Sequence, residues 1–446
     1  MLSMSNELRA QAEAHRLAAE KAEQATEWQE AARGYEQCLS LVAQAGDAAG
    51  QDEPALLTGL GRCYWNLAQA RPAWRTLRRA MTLYDERGDA IGLARATVEI
   101  RRIWGPPERH RAMVDDALGK LGDADPYLRA CLLLSQRWHD DSAYDRAMAL
   151  AREHGFEDIL AVRKEEDAWK AMNEGRVEEA APLFREAHDS FARLGRHDAA
   201  ASTLRGAGFS LIELGYLDEG FAAAEQSFTY AMNAHLNFQA QLALMDMAGV
   251  PFARGDFARC EEVVALAPTD SDFRGDLYRM WIAEARGDID RALQLMVSPE
   301  RGGNTPTAMG QIHAAAAGLL FRTGKRDAAA QALRAWAAVQ REDSNDDAFW
   351  EEAPAMVECL VALGDDDLLR KVTGSLRARD ERDVARARFT TLQGRSLYPL
   401  RAALAARSGR PDEAERHYRE GITWCTEAGC VADAEACRRA LAALEG

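Results

Sequence analysis

Gly59-x-Gly61 and Gly206-x-Gly208 use the residue type of a phosphate-binding loop, since glycine lets a backbone approach a phosphate closely. Neither extends to Gly-x-Gly-x-x-Gly, and neither follows a strand-like run, so close packing of helices is the better reading of both. The nine histidines include no His-x-x-x-His pair to set two imidazoles on one helix face around a metal. His188 and His197 flank a turn at Gly195 and read as solvated or capping groups. Among the acidic runs, Asp115-Asp116 and Asp365-Asp366-Asp367 fit exposed helix surface or helix starts, where carboxylates favour the positive end of the dipole. Glu165-Glu166-Asp167 is odder, because Asp167 falls at a register position that is normally apolar. Paired-carboxylate hydrolysis needs two acids across one cleft, and the sequence leaves that open. No Gly-x-Ser-x-Gly elbow is present. The eight cysteines are too dilute for a disulfide scaffold, and Cys425, Cys430 and Cys437 lack the Cys-x-x-Cys knuckle of a zinc site. They read as small buried hydrophobes of a reduced, cytoplasmic protein. No metal and no cofactor is expected.

Such residues need a frame, and composition limits what it can be. The chain has 446 residues, 47% hydrophobic and 7% aromatic, with a net charge of −16. That much apolar material excludes disorder. No apolar run reaches the ~18 residues of a membrane span, and Met1–Gln24 lacks the apolar stretch of a secretory signal. A large negative charge without a basic run argues against a nucleic-acid partner.

One pattern recurs along the chain. An apolar helical stretch ends at glycine, one or two polar residues follow, and a second apolar stretch carries a small residue near its start. Copies read Glu174-Gly175-Arg176-Val177-Glu178-Glu179-Ala180, Arg254-Gly255-Asp256-Phe257-Ala258-Arg259-Cys260 and Arg286-Gly287-Asp288-Ile289-Asp290-Arg291-Ala292. Turn glycines at 175, 215, 255, 287, 324, 364 and 409, with less regular turns near Thr26, Ala68, Gly105 and Asp140, mark units of about 38 residues. Glycine supplies the left-handed residue that stops the first helix, and alanine early in the second lets the two axes approach. Each hairpin is apolar on two faces, so neighbours must stack. Pro251 and Pro354 fall inside apparent helices and predict kinks or shifted boundaries.

The pattern resembles the tetratricopeptide repeat. The best copy is Leu57-x-x-Leu60-Gly61-x-x-Tyr64, followed by Ala73, Leu77 and Ala80. Leu204-x-x-Ala207-Gly208-x-x-Leu211 with Gly215 and Ala224 is a second, and Gly409, Ala414 and Tyr418 mark the final pair. Units nearer 38 to 40 residues resemble the helical sensor arms of bacterial signal-transduction ATPase regulators, although no Gly-x-x-x-x-Gly-Lys-Ser/Thr loop is attached. The resemblance implies an all-α, right-handed superhelical solenoid of about 11 hairpins running through residues 1–446. Within it, 5–45 forms an N-terminal hairpin or cap, 89–156 a divergent block where Gly105-Pro106-Pro107 replaces the usual turn, 157–430 regular repeats and 431–446 a C-terminal capping helix.

In such a stack the first helices line a groove, and equivalent positions form rows across it. One row contains Arg62, Trp169, Phe209, Gly249, Trp281 and Gly318; its neighbour contains Thr58, Glu165, Arg205, Met245, Leu277 and Ala314. Large apolar side chains with a few charges and glycine gaps suit a protein or peptide ligand, with aromatic anchors and Arg205 taking a carboxylate or carbonyl. The same side chains could instead pack on one another. Arg62 and Asn66 share the inner face of one hairpin, but no matching Lys and Asn follow to complete a clamp for a C-terminal carboxylate. The function expected is therefore a non-catalytic binding scaffold or regulatory adaptor. A peptide or small-ligand sensor that closes on binding is the alternative, and an all-helical glycan-active enzyme stands behind both. An end that left Trp424, Leu441 and Leu444 open would offer a homodimer surface.

Overall fold

The computed structural model describes residues 2–45, 51–100, 107–136, 140–267, 273–297, 306–342, 353–382, 387–390 and 393–445. The turn read at Gly105-Pro106 lies outside these residues. Among the described residues there are 23 α-helices and one two-stranded antiparallel pair.

The helices come as successive hairpins. They begin with α1 (Leu2–Gln24) and α2 (Trp28–Ala45), α3 (Glu53–Asn66) and α4 (Ala70–Glu86), and α5 (Ala90–Ile100) and α6 (Pro107–Leu121). Next are α7 (Pro126–Ser135) and α8 (Asp141–His154), α9 (Glu157–Asn173) and α10 (Val177–Arg193), and α11 (His197–Leu214) and α12 (Leu217–Asn233). Then follow α13 (Asn237–Ala253) and α14 (Phe257–Val264), α15 (Phe273–Ala285) and α16 (Ile289–Gln294), and α17 (Pro306–Arg322) and α18 (Arg326–Glu342). The last are α19 (Val357–Leu363) and α20 (Asp366–Arg382), α21 (Tyr398–Arg407) and α22 (Pro411–Glu427), and the single α23 (Val431–Glu445). Strands β1 (Phe389–Thr390) and β2 (Arg395–Ser396) lie between α20 and α21, with Phe389 opposite Ser396.

The turns work as the repeat requires. Gly175, Gly215, Gly255, Gly287, Gly324 and Gly409 all have φ between 72° and 95°. At Gly175 the next two amides fold back on the helix: Gly175 N–H donates to Met172 O at 2.9 Å and Arg176 N–H to Ala171 O at 2.8 Å. The aspartates of the Arg-Gly-Asp turns cap the following helix, Asp256 accepting from Arg259 N–H at 3.0 Å and Asp288 from Arg291 N–H at 3.1 Å. Gly364 differs, having φ −66° and ψ 137°, so the chain leaves α19 extended. Ala180, Cys260, Ala292, Ala329 and Ala414 are completely buried where the second helices start. Pro251 sits within the last turn of α13, and Pro354 lies in a 3-10 turn (Ala353–Met356) ahead of α19.

Where the sequence reads as one continuous array, the contacts group the chain into two compact units. Unit 1 comprises residues 1–163 with 193–196 and 231–238; unit 2 comprises 164–192, 197–230 and 239–446. Unit 1 packs Leu57, Leu77, Tyr84, Leu93, Ile100 and Leu121 across α3 to α6. Unit 2 has an aromatic core of Phe252, Tyr278 and Trp281, and a second core around Trp336, Met356 and Leu360.

Unit 2 is not a simple linear stack. Its C-terminal hairpin returns to helices about two hundred residues earlier: Trp424 shares a cluster with Ile212, Leu217, Val250 and Ala253, and Arg254 Nε donates to the Ala428 carbonyl at 3.2 Å, 174 residues away. In an open solenoid each unit touches only its neighbours. Of the three residues that an open end would expose, Trp424 (8% exposed) and Leu441 (9%) are covered and Leu444 (37%) is exposed.

Candidate functional site

Successive first helices are joined by polar contacts about one unit apart in sequence. In unit 1, Arg62 on α3 donates from Nη1 to Glu23 Oε1 on α1 at 2.5 Å and places Nε 3.3 Å from Glu99 Oε1 on α5. Asn66 is buried and donates to the Arg62 carbonyl at 3.0 Å. Both side chains are thus engaged within the fold. In unit 2, Thr203 Oγ1 on α11 donates to Glu165 Oε1 on α9 at 3.0 Å. Arg205 Nε lies 2.9 Å from Asp246 Oδ2 on α13, and its Nη2 donates to Asp246 Oδ1 at 3.3 Å. Glu284 on α15 pairs with Arg322 on α17 at 2.6 Å. The Arg205–Asp246 fork is the most buried of these, with Asp246 0% and Arg205 23% exposed.

The sequence-predicted row divides into three parts. Glu165, Trp169, Arg205 and Phe209 stay half-buried on α9 and α11. The Trp169 ring meets Phe184 edge-on at 5.2 Å, and a Cβ at Gly206 would come 2.7 Å from that ring. The Arg205 guanidinium lies over Phe209 at 5.4 Å, completing a Trp–Arg–Phe strip along two adjacent first helices. Met245, Leu277 and Trp281 do not join it. Each is only 3% exposed, and Trp281 is edge-on to Tyr278 at 5.4 Å, so packing replaces the groove role expected of these three. Arg62 and Asn66 belong to unit 1.

The glycine positions of the row are crossed by other segments. A Cβ on Gly318 would meet the Ala355 carbonyl oxygen at 2.1 Å. A Cβ on Gly394, whose φ is +58°, would come 2.6 Å from the Gly249 carbonyl oxygen. The β1–β2 segment therefore lies against α13. Arg388 N–H donates to the Glu213 carbonyl on α11 at 2.7 Å, Phe389 enters the Ile212–Val250–Trp424 cluster, and the Arg395 guanidinium stacks 5.1 Å from the Phe252 ring. Gln393 accepts from Ala355 N–H at 2.7 Å. Asp433 accepts from Ser396 N–H at 2.6 Å and lies 3.6 Å from Arg395. Burial pushes the Asp433 carboxyl up, against the pull of Arg395.

The remaining chemistry-bearing residues take structural places. Asp167 is exposed on α9, so the apolar site expected there faces water. His188 Nδ1 contacts the Ala200 carbonyl at 3.1 Å, and His197 Nδ1 the Tyr230 hydroxyl at 2.8 Å. All eight cysteines are buried and none forms a disulfide, and burial pushes the Cys63 and Cys260 thiols up to about 12. Gly59 abuts the Tyr35 ring and Gly208 the Ala224 backbone, which is the packing role read for both glycine pairs. Among the described residues no group of three or more His, Cys, Asp or Glu is placed to hold a metal, and no helix is long and apolar enough to cross a membrane.

No protein-family model matches the chain, and no curated protein matches it. Solved structures do. The Rap protein complexed with competence and sporulation factor is 11% identical with a TM-score of 0.42, covering 88% of this chain and 100% of that one. Yeast Tom70 is 12% identical with a TM-score of 0.29, covering 96% and 95%; the P58(IPK) TPR domain is 10% identical at 0.28, covering 96% and 97%. The described residues form an all-α array of successive helical hairpins with left-handed glycine turns, as the repeat reading expects.

Proposed function

We propose that this protein is a non-catalytic scaffold or adaptor that holds a segment of a partner protein on the first helices of α9 and α11. The observation that carries this reading is the half-buried strip of Trp169, Arg205 and Phe209. It sets Phe209 against a guanidinium already oriented by Asp246, with Trp169 on the adjacent first helix and Glu165 as an acceptor there. Rigid aromatics flanking a fixed cation are what a peptide anchor needs, because little side-chain entropy is lost when they are covered. Arg205 can reach a backbone carbonyl with donors not directed at Asp246. An acidic surface without a basic run favours protein over nucleic acid.

Phe209→Ala removes the half-buried aromatic while leaving the Arg205–Asp246 fork in place. It is expected to weaken partner capture at least tenfold while leaving the melting temperature within a few degrees. Capture unchanged by Phe209→Ala in a folded chain would contradict the reading.

A further inference from the structure

The outer face of α4 in unit 1 carries charge that its packing does not require. Ala73, Leu77, Ala80, Met81 and Tyr84 are buried, which turns Arg71, Arg75, Arg78 and Arg79 outward along one exposed face. Arg79 pairs with Glu53 at 2.5 Å. Arg78 lies over the Trp74 ring at 5.9 Å, with Nη1 3.7 Å from Met113 Sδ. Among the described residues no carboxylate pairs with Arg71, Arg75 or Arg78. Acids on α2 and at the end of α4 are engaged by other groups, Glu36 accepting from Tyr64 at 2.6 Å and Asp85 from Lys120 at 2.6 Å. The other second helices are built differently. Those of α2, α10, α12, α18 and α22 each place an acid in the first turn, whereas α4 has none and puts Arg71 there. Cations at that end oppose the helix dipole, and arginines one turn apart repel one another. The stripe therefore destabilises the helix that carries it. Its residue types are those that interfaces favour, arginines beside a half-buried tryptophan.

We propose that this face docks an acidic segment of a partner protein. Arg71, Arg75 and Arg78 follow one another at about 5–6 Å along the helix axis, and each guanidinium offers a planar fork of donors that fits a carboxylate. An extended segment with an acid at every second residue sets its carboxylates about 7 Å apart on one face, which matches the stripe in sign and nearly in spacing. The complementary charge is local. The stripe ends at Asp85 and Glu86 in a chain of net charge −16, so a long nucleic-acid backbone would run off it onto like charge. No residue of this face belongs to the Trp169–Arg205–Phe209 strip, so the proposal stands or falls independently of the scaffold reading.

The test uses the full chain and a fluorescent peptide of alternating Asp and Ser, read by anisotropy at low salt. The peptide is expected to bind one to one. Arg71→Gln, Arg75→Gln and Arg78→Gln together should weaken it at least tenfold. Arg416→Gln, Arg419→Gln and Arg438→Gln remove the same charge from paired arginines on α22 and α23, and should change it less than twofold. A peptide with Asn in place of Asp should not bind measurably. No binding by the unaltered chain, or equal losses from the two triple variants, overturns the proposal. A single-stranded oligonucleotide that binds more tightly than the peptide, and is lost with the first triple variant, overturns it in favour of nucleic acid. Should the first variant not fold, dicarbonyl modification of arginines in the unaltered chain decides. The peptide is expected to slow modification of Arg71, Arg75 and Arg78 at least fivefold while Arg416 and Arg419 react as before, and equal slowing, or none, overturns the proposal. Phe209→Ala should leave peptide binding unaltered. A tenfold loss from that variant would place the peptide at the strip instead and overturn the proposal, leaving the scaffold reading intact.

Discussion

At the scale of single residues, burial decides which charges matter. Arg62 is about a third exposed between Glu23 and Glu99, whereas Asp246 is fully buried under Arg205. Arg62→Ala is therefore expected to cost about 1 kcal/mol or less, the usual worth of a partly exposed pair. Arg205→Ala strands a buried carboxylate and should cost about 3–5 kcal/mol. Chemical denaturation of the two variants measures the difference, and equal losses would contradict the assignment of the buried fork. The thiols give a second residue-scale prediction. With Cys63 and Cys260 raised to about 12, the folded state holds these groups neutral while the unfolded chain ionises near 9. Their contribution to stability is complete below pH 9 and is lost as pH rises from there toward 12. Unfolding free energy should thus fall steeply above pH 9, and thiol titration at pH 8 should find none of the eight cysteines reactive until denaturant is added.

Elements show how much was legible in the sequence. The hairpin signal is local, a glycine after an apolar stretch and a small residue in the next, and it located the turns at 175, 215, 255, 287, 324 and 409. Gly364 was misread as the same device because its residue type fits while its backbone is extended. Thr26 and Ala68 carry out the turn without glycine, at φ 58° and 60°. A Cβ in the left-handed region costs about 1–2 kcal/mol, partly offset by the greater freedom glycine gives the unfolded chain. Thr26→Gly should therefore raise stability by about 0.5–1 kcal/mol, while Gly175→Ala should lower it by about 1 kcal/mol. Thermal unfolding of both single variants checks the opposite signs. The row of candidate contacts was legible as register only. Periodicity says where a side chain points, but not what is seated on it, so Phe209 and Trp281 could not be told apart until the fold placed one at the strip and the other in the core.

At the scale of the whole molecule, the feature hidden from sequence is the return of the C-terminal hairpins to α11 and α13. No local pattern encodes Trp424 packing on Gly215 or Arg254 reaching Ala428, since these depend on how successive unit rotations add up. In a linear stack, truncation after residue 397 would leave distant helices untouched. Here it should lower amide protection in α11 and α13 by at least tenfold in hydrogen exchange, while α3 and α4 in unit 1 keep theirs. The central claim, that the strip on α9 and α11 receives a partner protein, is tested most directly by placing a photo-crosslinking phenylalanine analogue at position 209 and irradiating the chain in its native extract. One defined partner segment, crosslinked at position 209 and lost when Trp169→Ala accompanies it in a chain that still folds, is the result expected. Crosslinks that form only within the chain itself, or equally from an analogue placed at Leu17, would contradict it.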